Sequence, residues 1–367
     1  MTPAEIAARL ETIRGLHAPD RRLAVWEVDL EDQADEPPRL VGAVSEAGAA
    51  RELEDLAREA GAAAAVELLP AGGEVQGIAH RSLAHLRAEP RHAAELVSQM
   101  VLGEEALVLR ARGEWLQVQT GDRYVAWVHR GSLLRRDPAD PEGFRDRLFE
   151  RRPLPGRWVV TARGARAVEE PAPYAPPVAD LVQGAIVEVS ETRGRFVEIV
   201  LPDGVSGWVW RGGLAPADLL AERFTPDGRA ILEHGEQFLG LPYLWGGTSE
   251  KGFDCSGFVQ RLYGLHGVRL PRDSDQQAAF GEPVEPGPDW SGVADGDLAF
   301  FSEDGSRATH VGILAEGGRL LHASTGRNGV WWDALDPSAG THDEYAGRLA
   351  DSLTAVRRLR FPPPPPR

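Results

Sequence analysis

The sequence predicts a multidomain chain with an α+β domain at its C-terminus, two small β-barrels before it, and a short α/β segment in front. Three observations carry this. The 367 residues exceed what a single hydrophobic core ordinarily organises. The middle of the chain repeats itself at an offset of 81 residues. Beyond residue 223, a helix-start pattern holding the only cysteine precedes two strand-like runs that each carry a histidine. The boundaries read as 1–78, 79–150, 151–222 and 223–360, with a polyproline tail at 361–367.

In the first segment, Thr2-Pro3 can cap and open a helix bearing Ile6, Leu10 and Ile13 at helical spacing. Strand-like Leu23 to Val28 and Leu40 to Val44 follow, then a helix from about Ala49 to Ala60 that Gly61 can close, a further strand over Ala64 to Leu69, and a linker at Pro70 and Gly72-Gly73. No chemistry is evident there.

In the repeat, Gly103 aligns with Gly184, Val108 with Val189, Trp115 with Phe196, Val118 with Ile199, and Trp127-Val128 with Trp208-Val209. Short alternating runs between Gly-rich turns, each closing in Trp-Val-x-Arg-Gly, indicate a small barrel rather than a helical solenoid. The copies differ at two chemically notable places: Glu95 and Tyr124 of the first face Pro176 and Val205 of the second.

The last domain opens at Phe224-Thr-Pro-Asp-Gly, where Thr225 reads as a cap and Pro226 as the first helical residue. That helix should carry Ile231, Leu232, Phe238 and Leu239 into the core until Gly240. Leu241-Pro-Tyr-Leu-Trp-Gly-Gly-Thr248 and Gly252-Phe-Asp-Cys-Ser-Gly-Phe258 then lead to the cysteine. Asp254 suits an N-cap, Phe258, Leu262 and Leu265 share one helical face, and Gly264 and Gly267 can end the helix. A helix N-terminus favours a thiolate by only ~0.3–1 kcal/mol at an exposed site, so a base is needed as well. Thr309-His-Val-Gly-Ile-Leu314 and Arg319-Leu-Leu-His-Ala-Ser324 supply candidates. The residues alone leave two readings open, a buried small hydrophobe or a nucleophile. Gly246, Gly247, Gly252 and Gly257 favour close backbone approach over core filling.

The formal charge of −16 and pI near 5.1 argue against binding nucleic acid or anionic polymers by bulk electrostatics. No stretch could span a bilayer, and the first residues lack a basic and then apolar leader pattern. If Met1 is the natural start, a cytoplasmic location is expected. One cysteine cannot form an intramolecular disulfide. With no His-Glu-x-x-His and only scattered histidines, no metal or cofactor is expected. His17, His80, His85, His92, His129, His234, His266 and His342 read as surface or structural groups. Arg272 reads as structural, pairing with a nearby carboxylate.

Six motifs in one order resemble the NlpC-type cysteine peptidases, bacterial papain-like enzymes that cut peptidoglycan stem peptides. They are Tyr243-Leu-Trp-Gly-Gly, Asp254-Cys-Ser-Gly-Phe-Val, Leu270-Pro-Arg-Asp-Ser-Asp-Gln-Gln, Gly296-Asp-Leu-Ala-Phe-Phe, His310-Val-Gly-Ile and Leu321-His-Ala-Ser, spread over roughly 225–360. The resemblance implies a papain-like α+β fold with Cys255 as nucleophile, His310 as base and His322 as the orienting third group. The repeats resemble bacterial SH3-like domains. The first, through residues 88–103 and Tyr124 before Val125-Ala-Trp127, is similar to that of the γ-D-glutamyl-L-diamino acid endopeptidases of cell-wall peptide recycling, also called dipeptidyl-peptidase VI. That implies hydrolysis of the γ-D-glutamyl bond in released muropeptides with a free N-terminal L-Ala. Tyr243, Asp254 and Glu95 are then expected around the amine, with two converging carboxylates repelling one another. Tyr124 would help close the pocket, and Ser256, Asp273 and Ser274 would orient the D-Glu carboxylate. The muropeptide is the expected partner, with no nucleic acid, membrane or obligate protein partner. The alternatives are an exported peptidoglycan hydrolase targeted by its SH3-like domains and a non-catalytic muropeptide-binding protein.

Overall fold

A computed structural model describes residues 1–32, 37–71, 73–138, 141–150, 156–302, 304–339 and 341–361. Gly72 of the expected linker and residues 362–367 of the proline tail lie outside the described residues. The chain forms two compact units. The first comprises residues 1–78, 87–94 and 105–152; the second comprises 79–86, 95–104 and 153–367. The expected first barrel therefore contributes chain to both.

In the first unit, Thr2 caps the helix Pro3–His17 in a reciprocal capping box with Glu5. Its Ile6, Leu10 and Ile13 pack with Leu53 and Leu56 of the helix Ala47–Ala60, which ends at Gly61 in the left-handed conformation. Both helices lie against a three-stranded sheet in which Arg39–Val44 pairs antiparallel with Trp26–Glu31 and parallel with Ala63–Leu68. The first strand starts three residues later than expected from Leu23, because Arg22 turns back onto the Asp20 carboxylate and the Leu23 N–H donates to the Asp20 carbonyl.

The repeat recurs in the backbone. In the first copy, Val75–Ala79, Glu105–Arg112, Trp115–Thr120 and Val125–His129 form a continuous antiparallel ladder. In the second, Arg157–Val160, Ile186–Arg193, Phe196–Val200 and Ser206–Trp210 do the same. A bulge falls between Val108 and Arg110 and again between Val189 and Glu191. The 3₁₀ turns Arg130–Ser132 and Arg211–Gly213 close the two copies. Gly103 and Gly184 have φ of 82° and 93°, which a side chain would disfavour. The second copy is a seven-stranded sheet around Leu181, Val187, Ile199 and Val209.

The C-terminal part is a six-stranded antiparallel sheet in the order Glu282–Pro283, Leu353–Arg358, Asp297–Phe301, His310–Ala315, Arg319–Ser324 and Gly329–Ala334. Strand alternation sends Val311, Ile313 and Leu321 to one face, where they meet Ile231, Phe258 and Leu262 from the helices Gly228–Glu236 and Cys255–Leu265. Leu314 and Leu320 point to the other face, against Leu335 and Leu349. The first helix begins later than expected. Asp227, not Thr225, is its cap, because the Asp227 carboxylate takes the Ala230 N–H at 2.8 Å. Gly228 at its first turn lies so close to Asp295 that a Cβ would sit 1.8 Å from the Asp295 carbonyl oxygen. Leu239, expected in the core, is exposed because the helix has ended at Glu236.

Candidate active site

The site starts from one cap. Asp254 accepts the Gly257 N–H at 2.7 Å and thereby fixes the start of the helix Cys255–Leu265, so that Cys255 is its first residue. The other carboxylate oxygen accepts the Gly246 N–H at 2.9 Å, tying the Tyr-Leu-Trp-Gly-Gly stretch to the same point. Both glycines are needed for backbone approach. A Cβ on Gly246 would lie 2.2 Å from the Leu96 carbonyl oxygen, and one on Gly257 would lie 2.2 Å from that of Gly247.

Arg272 closes this cluster. It is 1 % exposed and donates to both oxygens of Asp254 at 3.1 and 2.5 Å, to Ser256 Oγ at 2.9 Å and to Ser98 Oγ at 3.1 Å. The structural role expected of Arg272 is what it has. Asp254, expected to converge with Glu95 as one of two repelling carboxylates, is paired with this buried guanidinium. Ser256, expected on the substrate carboxylate, is held between Arg272 and Asp254. Ser274 donates to the Ala308 carbonyl at 2.9 Å, and Asp273 sits at the cap of the short helix Ser274–Gln277.

Residues 95–104 of the second unit lie along the same stretch. Glu95 accepts from Trp245 Nε1 at 2.8 Å, Gln99 accepts the Thr248 N–H at 2.9 Å, and Glu104 pairs with Arg261 of the nucleophile helix at 3.1 Å. Glu95 is exposed, and among the described residues it has no cation partner. Tyr124 belongs to the first unit, where it is 6 % exposed.

The histidines come from adjacent strands. His310, half-buried, and His322, fully buried, lie on neighbouring strands, with 2.7 Å between His310 Nε2 and His322 Nδ1; His310 precedes Val311, whose backbone N–H meets the Cys255 sulfur. Gly312 next to them leaves the space they need, since a Cβ there would lie 2.9 Å from His322 Cβ. His322 Nε2 is 2.8 Å from Asp333 Oδ2, and Arg327 holds Oδ1 of the same carboxylate through Nε at 3.0 Å. Sequence reasoning missed Asp333 and Arg327. The available signal was an acidic residue at an apolar strand position in Gly329-Val-Trp-Trp-Asp-Ala334.

Electrostatics opposes charge on each reacting group taken alone. Burial, reinforced by the Asp254 charge, pushes the Cys255 thiol up to about 12 against the backbone N–H groups of Val311 and Ser256, which favour the thiolate. Burial, and next the neighbouring His322, holds His310 well below the ordinary imidazole range. His322 is lowered too, chiefly by burial, with Asp333 acting the other way. Burial alone would raise Asp333, yet hydrogen bonds from His322 and Arg327 keep it below its ordinary value. A stable thiolate in the free protein, as a low thiol pKa would give, is thus not favoured. Transfer of one proton from thiol to imidazole leaves the net charge unchanged, so the two groups can become charged together. Tyr243 lies next to the Cys255 backbone amide, and burial with the nearby Cys255 and Asp254 keeps its phenol protonated. Among the described residues no cluster of His, Cys, Asp and Glu is arranged to hold a metal, and no helix is long and apolar enough to cross a membrane.

Comparison with known proteins bears on both halves of this arrangement. Residues 240–344 match the NlpC/P60 family, and residues 86–133 match the bacterial dipeptidyl-peptidase Sh3 domain. The γ-D-glutamyl-L-lysine dipeptidyl-peptidase of Bacillus subtilis is 31 % identical over 243 residues, spanning 63 % of this chain and 73 % of that protein. The dipeptidyl-peptidase 6 of Lysinibacillus sphaericus is 29 % identical over 286 residues, spanning 76 % of this chain and 97 % of its own. A crystal structure of an NlpC/P60 family protein from Bacillus cereus superposes with a TM-score of 0.62 at 22 % identity, covering 77 % of this chain and 99 % of that one, which is likeness of fold.

Proposed function

The chain belongs to the NlpC/P60 family of cysteine peptidases, and from that premise we propose that it cuts the γ-D-glutamyl bond to a diamino acid in peptidoglycan stem peptides whose N-terminal L-Ala is free. The observation that carries the specificity is Glu95, an exposed carboxylate held by Trp245 beside the Asp254 cap, while Asp254 itself is committed to Arg272. An ammonium group arriving there meets one uncompensated negative charge. An N-acylated peptide brings bulk and no charge. The name of the relative from Bacillus subtilis, a γ-D-glutamyl-L-lysine dipeptidyl-peptidase, agrees with this bond.

In the reaction, the Cys255 thiol gives its proton to His310 as sulfur attacks the γ-carbonyl of D-Glu. The oxyanion takes hydrogen bonds from the Cys255 N–H and the Tyr243 hydroxyl, which lie next to one another in the free protein. The tetrahedral species expels the diamino acid amine, protonated by His310, and leaves an acyl-enzyme. His310 then removes a proton from water, which releases L-Ala-γ-D-Glu and the thiol. Because wall-linked L-Ala is amide-bonded to muramic acid, the substrates are peptides already released from glycan. We place the enzyme in their recycling, in the cytoplasm.

Hydrolysis of L-Ala-γ-D-Glu-diaminopimelate beside its N-acetylated twin, followed by mass spectrometry, tests this with wild type, Cys255→Ala and Glu95→Gln. The expected pattern is cleavage of the free-amine peptide alone, abolished in Cys255→Ala and weakened through KM in Glu95→Gln. Equal cleavage of both peptides by wild type refutes the amine requirement and favours an exported wall hydrolase.

A further inference from the structure

We infer that Asp333, clamped by Arg327, is a positioning residue that dictates which ring nitrogens of His322 and His310 carry their protons. The inference rests on Cys255 and His310 being nucleophile and base, and it extends that pair through His322 to the neighbouring strand Gly329–Ala334.

An ionised carboxylate can only accept, so Asp333 Oδ2 at 2.8 Å obliges His322 to carry its proton on Nε2. Neutral His322 then has a bare Nδ1, and that atom, 2.7 Å from His310 Nε2, must accept the His310 proton. His310 in turn is left with Nδ1 as its one lone pair, free to take the Cys255 proton. The chain of assignments has no freedom once the carboxylate is fixed. Asp333 is 4 % exposed and His322 is fully buried, so water does not offer either a different partner.

Arg327 makes the carboxylate irreplaceable. It holds Asp333 Oδ1 through Nε at 3.0 Å and through a second guanidinium nitrogen, and it is anchored in turn on Asp343 at 2.8 Å, the cap of the helix Glu344–Asp351. A guanidinium offers donors only. If residue 333 were Asn, its oxygen would have to face Arg327 and its NH₂ would face His322. His322 Nε2 would then accept, its proton would move to Nδ1, and His310 would be driven to carry its proton on Nδ1, where the thiol needs a lone pair. The side chain would keep its shape while both histidines would adopt the wrong tautomer.

The expected result for Asp333→Asn is a fall in kcat on the order of 10²–10⁴, the typical worth of acid–base catalysis, with KM little changed. Removing the clamp should reverse part of this. In Asp333→Asn/Arg327→Met the amide can turn its oxygen to His322, and kcat should recover at least about tenfold over the single variant, which a merely structural role for Asp333 does not produce. Nitrogen-15 NMR of the histidine rings reads the assignment without activity: Nε2–H on both rings in wild type, Nδ1–H on both in Asp333→Asn. Wild-type rings protonated at Nδ1 overturn the inference whether or not any variant folds. Asp333→Asn activity within about threefold of wild type, or a double variant no better than the single, overturns it as well. Retained hydrolysis by Cys255→Ala overturns the nucleophile assignment instead, while the wild-type NMR result still decides the tautomers.

Discussion

Replacing Arg272 by Met probes how firmly the nucleophile is held. Met keeps much of the hydrocarbon stem and removes the donors to Asp254, Ser256 and Ser98. Asp254, 8 % exposed, is then left as a buried carboxylate without its cation. Breaking a buried pair from one side typically costs ~3–5 kcal/mol. Asp254 retains the Gly257 and Gly246 N–H groups, at 2.7 and 2.9 Å, so the lower end applies. We expect a loss of about 3 kcal/mol in the unfolding free energy of the second unit. The double variant Arg272→Met/Asp254→Asn leaves no stranded charge and keeps one oxygen to cap Gly257, but it turns an amide NH₂ towards the Gly246 N–H, so it should lie about 1–2 kcal/mol below wild type and above the single variant. Equilibrium urea unfolding followed by tryptophan fluorescence measures all three proteins. The reasoning is refuted if Arg272→Met costs less than about 1 kcal/mol, or if the double variant is as unstable as the single one.

Two further predictions concern the reacting pair. Without its imidazole, Cys255 should behave as a buried thiol titrating near 12, so in His310→Ala alkylation by iodoacetamide should rise about tenfold per pH unit from 7 to 10 without levelling. The sign follows from the raised pKa, since the thiolate fraction grows until pH passes it; a plateau below pH ~9 contradicts burial as the dominant cause. Gly312→Ala places a Cβ 2.7 Å from Leu320 Cδ1 and 2.9 Å from His322 Cβ. Overpacking of this kind costs ~1–3 kcal/mol, and the displaced His322 should lower kcat at least tenfold in a protein that remains folded by circular dichroism. Unchanged kinetics would mean that the strands part there without moving the imidazole.

What could be read from sequence was local, or repeated. The Asp254 cap, the helix behind Cys255 and the offset of 81 each depend on spacing along the chain, and each recurs in the structure with its expected residues. Long-range electrostatics was less accessible. Asp254 and Glu95 could both be recognised as acidic residues near the site, but the guanidinium that separates their roles enters from eighteen residues beyond the cap, and its effect depends on 1 % exposure, which spacing does not encode. Asp333 was hidden for a related reason. Its link to His322 is a diagonal cross-strand contact, visible only once the register His322↔Trp331 and Leu320↔Asp333 is known. The Thr225-Pro226 start misled because a good cap signal was followed two residues later by a better one, Asp227, and the carboxylate that reaches an N–H sets the boundary.

The site's charges therefore sort into three kinds, and this division accounts for how one acidic protein could handle an acidic peptide. Asp254 with Arg272 and Asp333 with Arg327 are compensated pairs that hold geometry. Burial opposes charge on Cys255 and on His310 taken singly, so in the proposed reaction a proton passed from thiol to imidazole spares the pocket a lone thiolate. Glu95 alone stands exposed and without a cation among the described residues. A formal charge of −16 spread over the chain repels carboxylates at long range, but salt reduces that field over about 8–10 Å. Under the proposed function, discrimination then comes from contact, where a single uncompensated carboxylate favours the positive group that a stem peptide gains when its amide to muramic acid is cut.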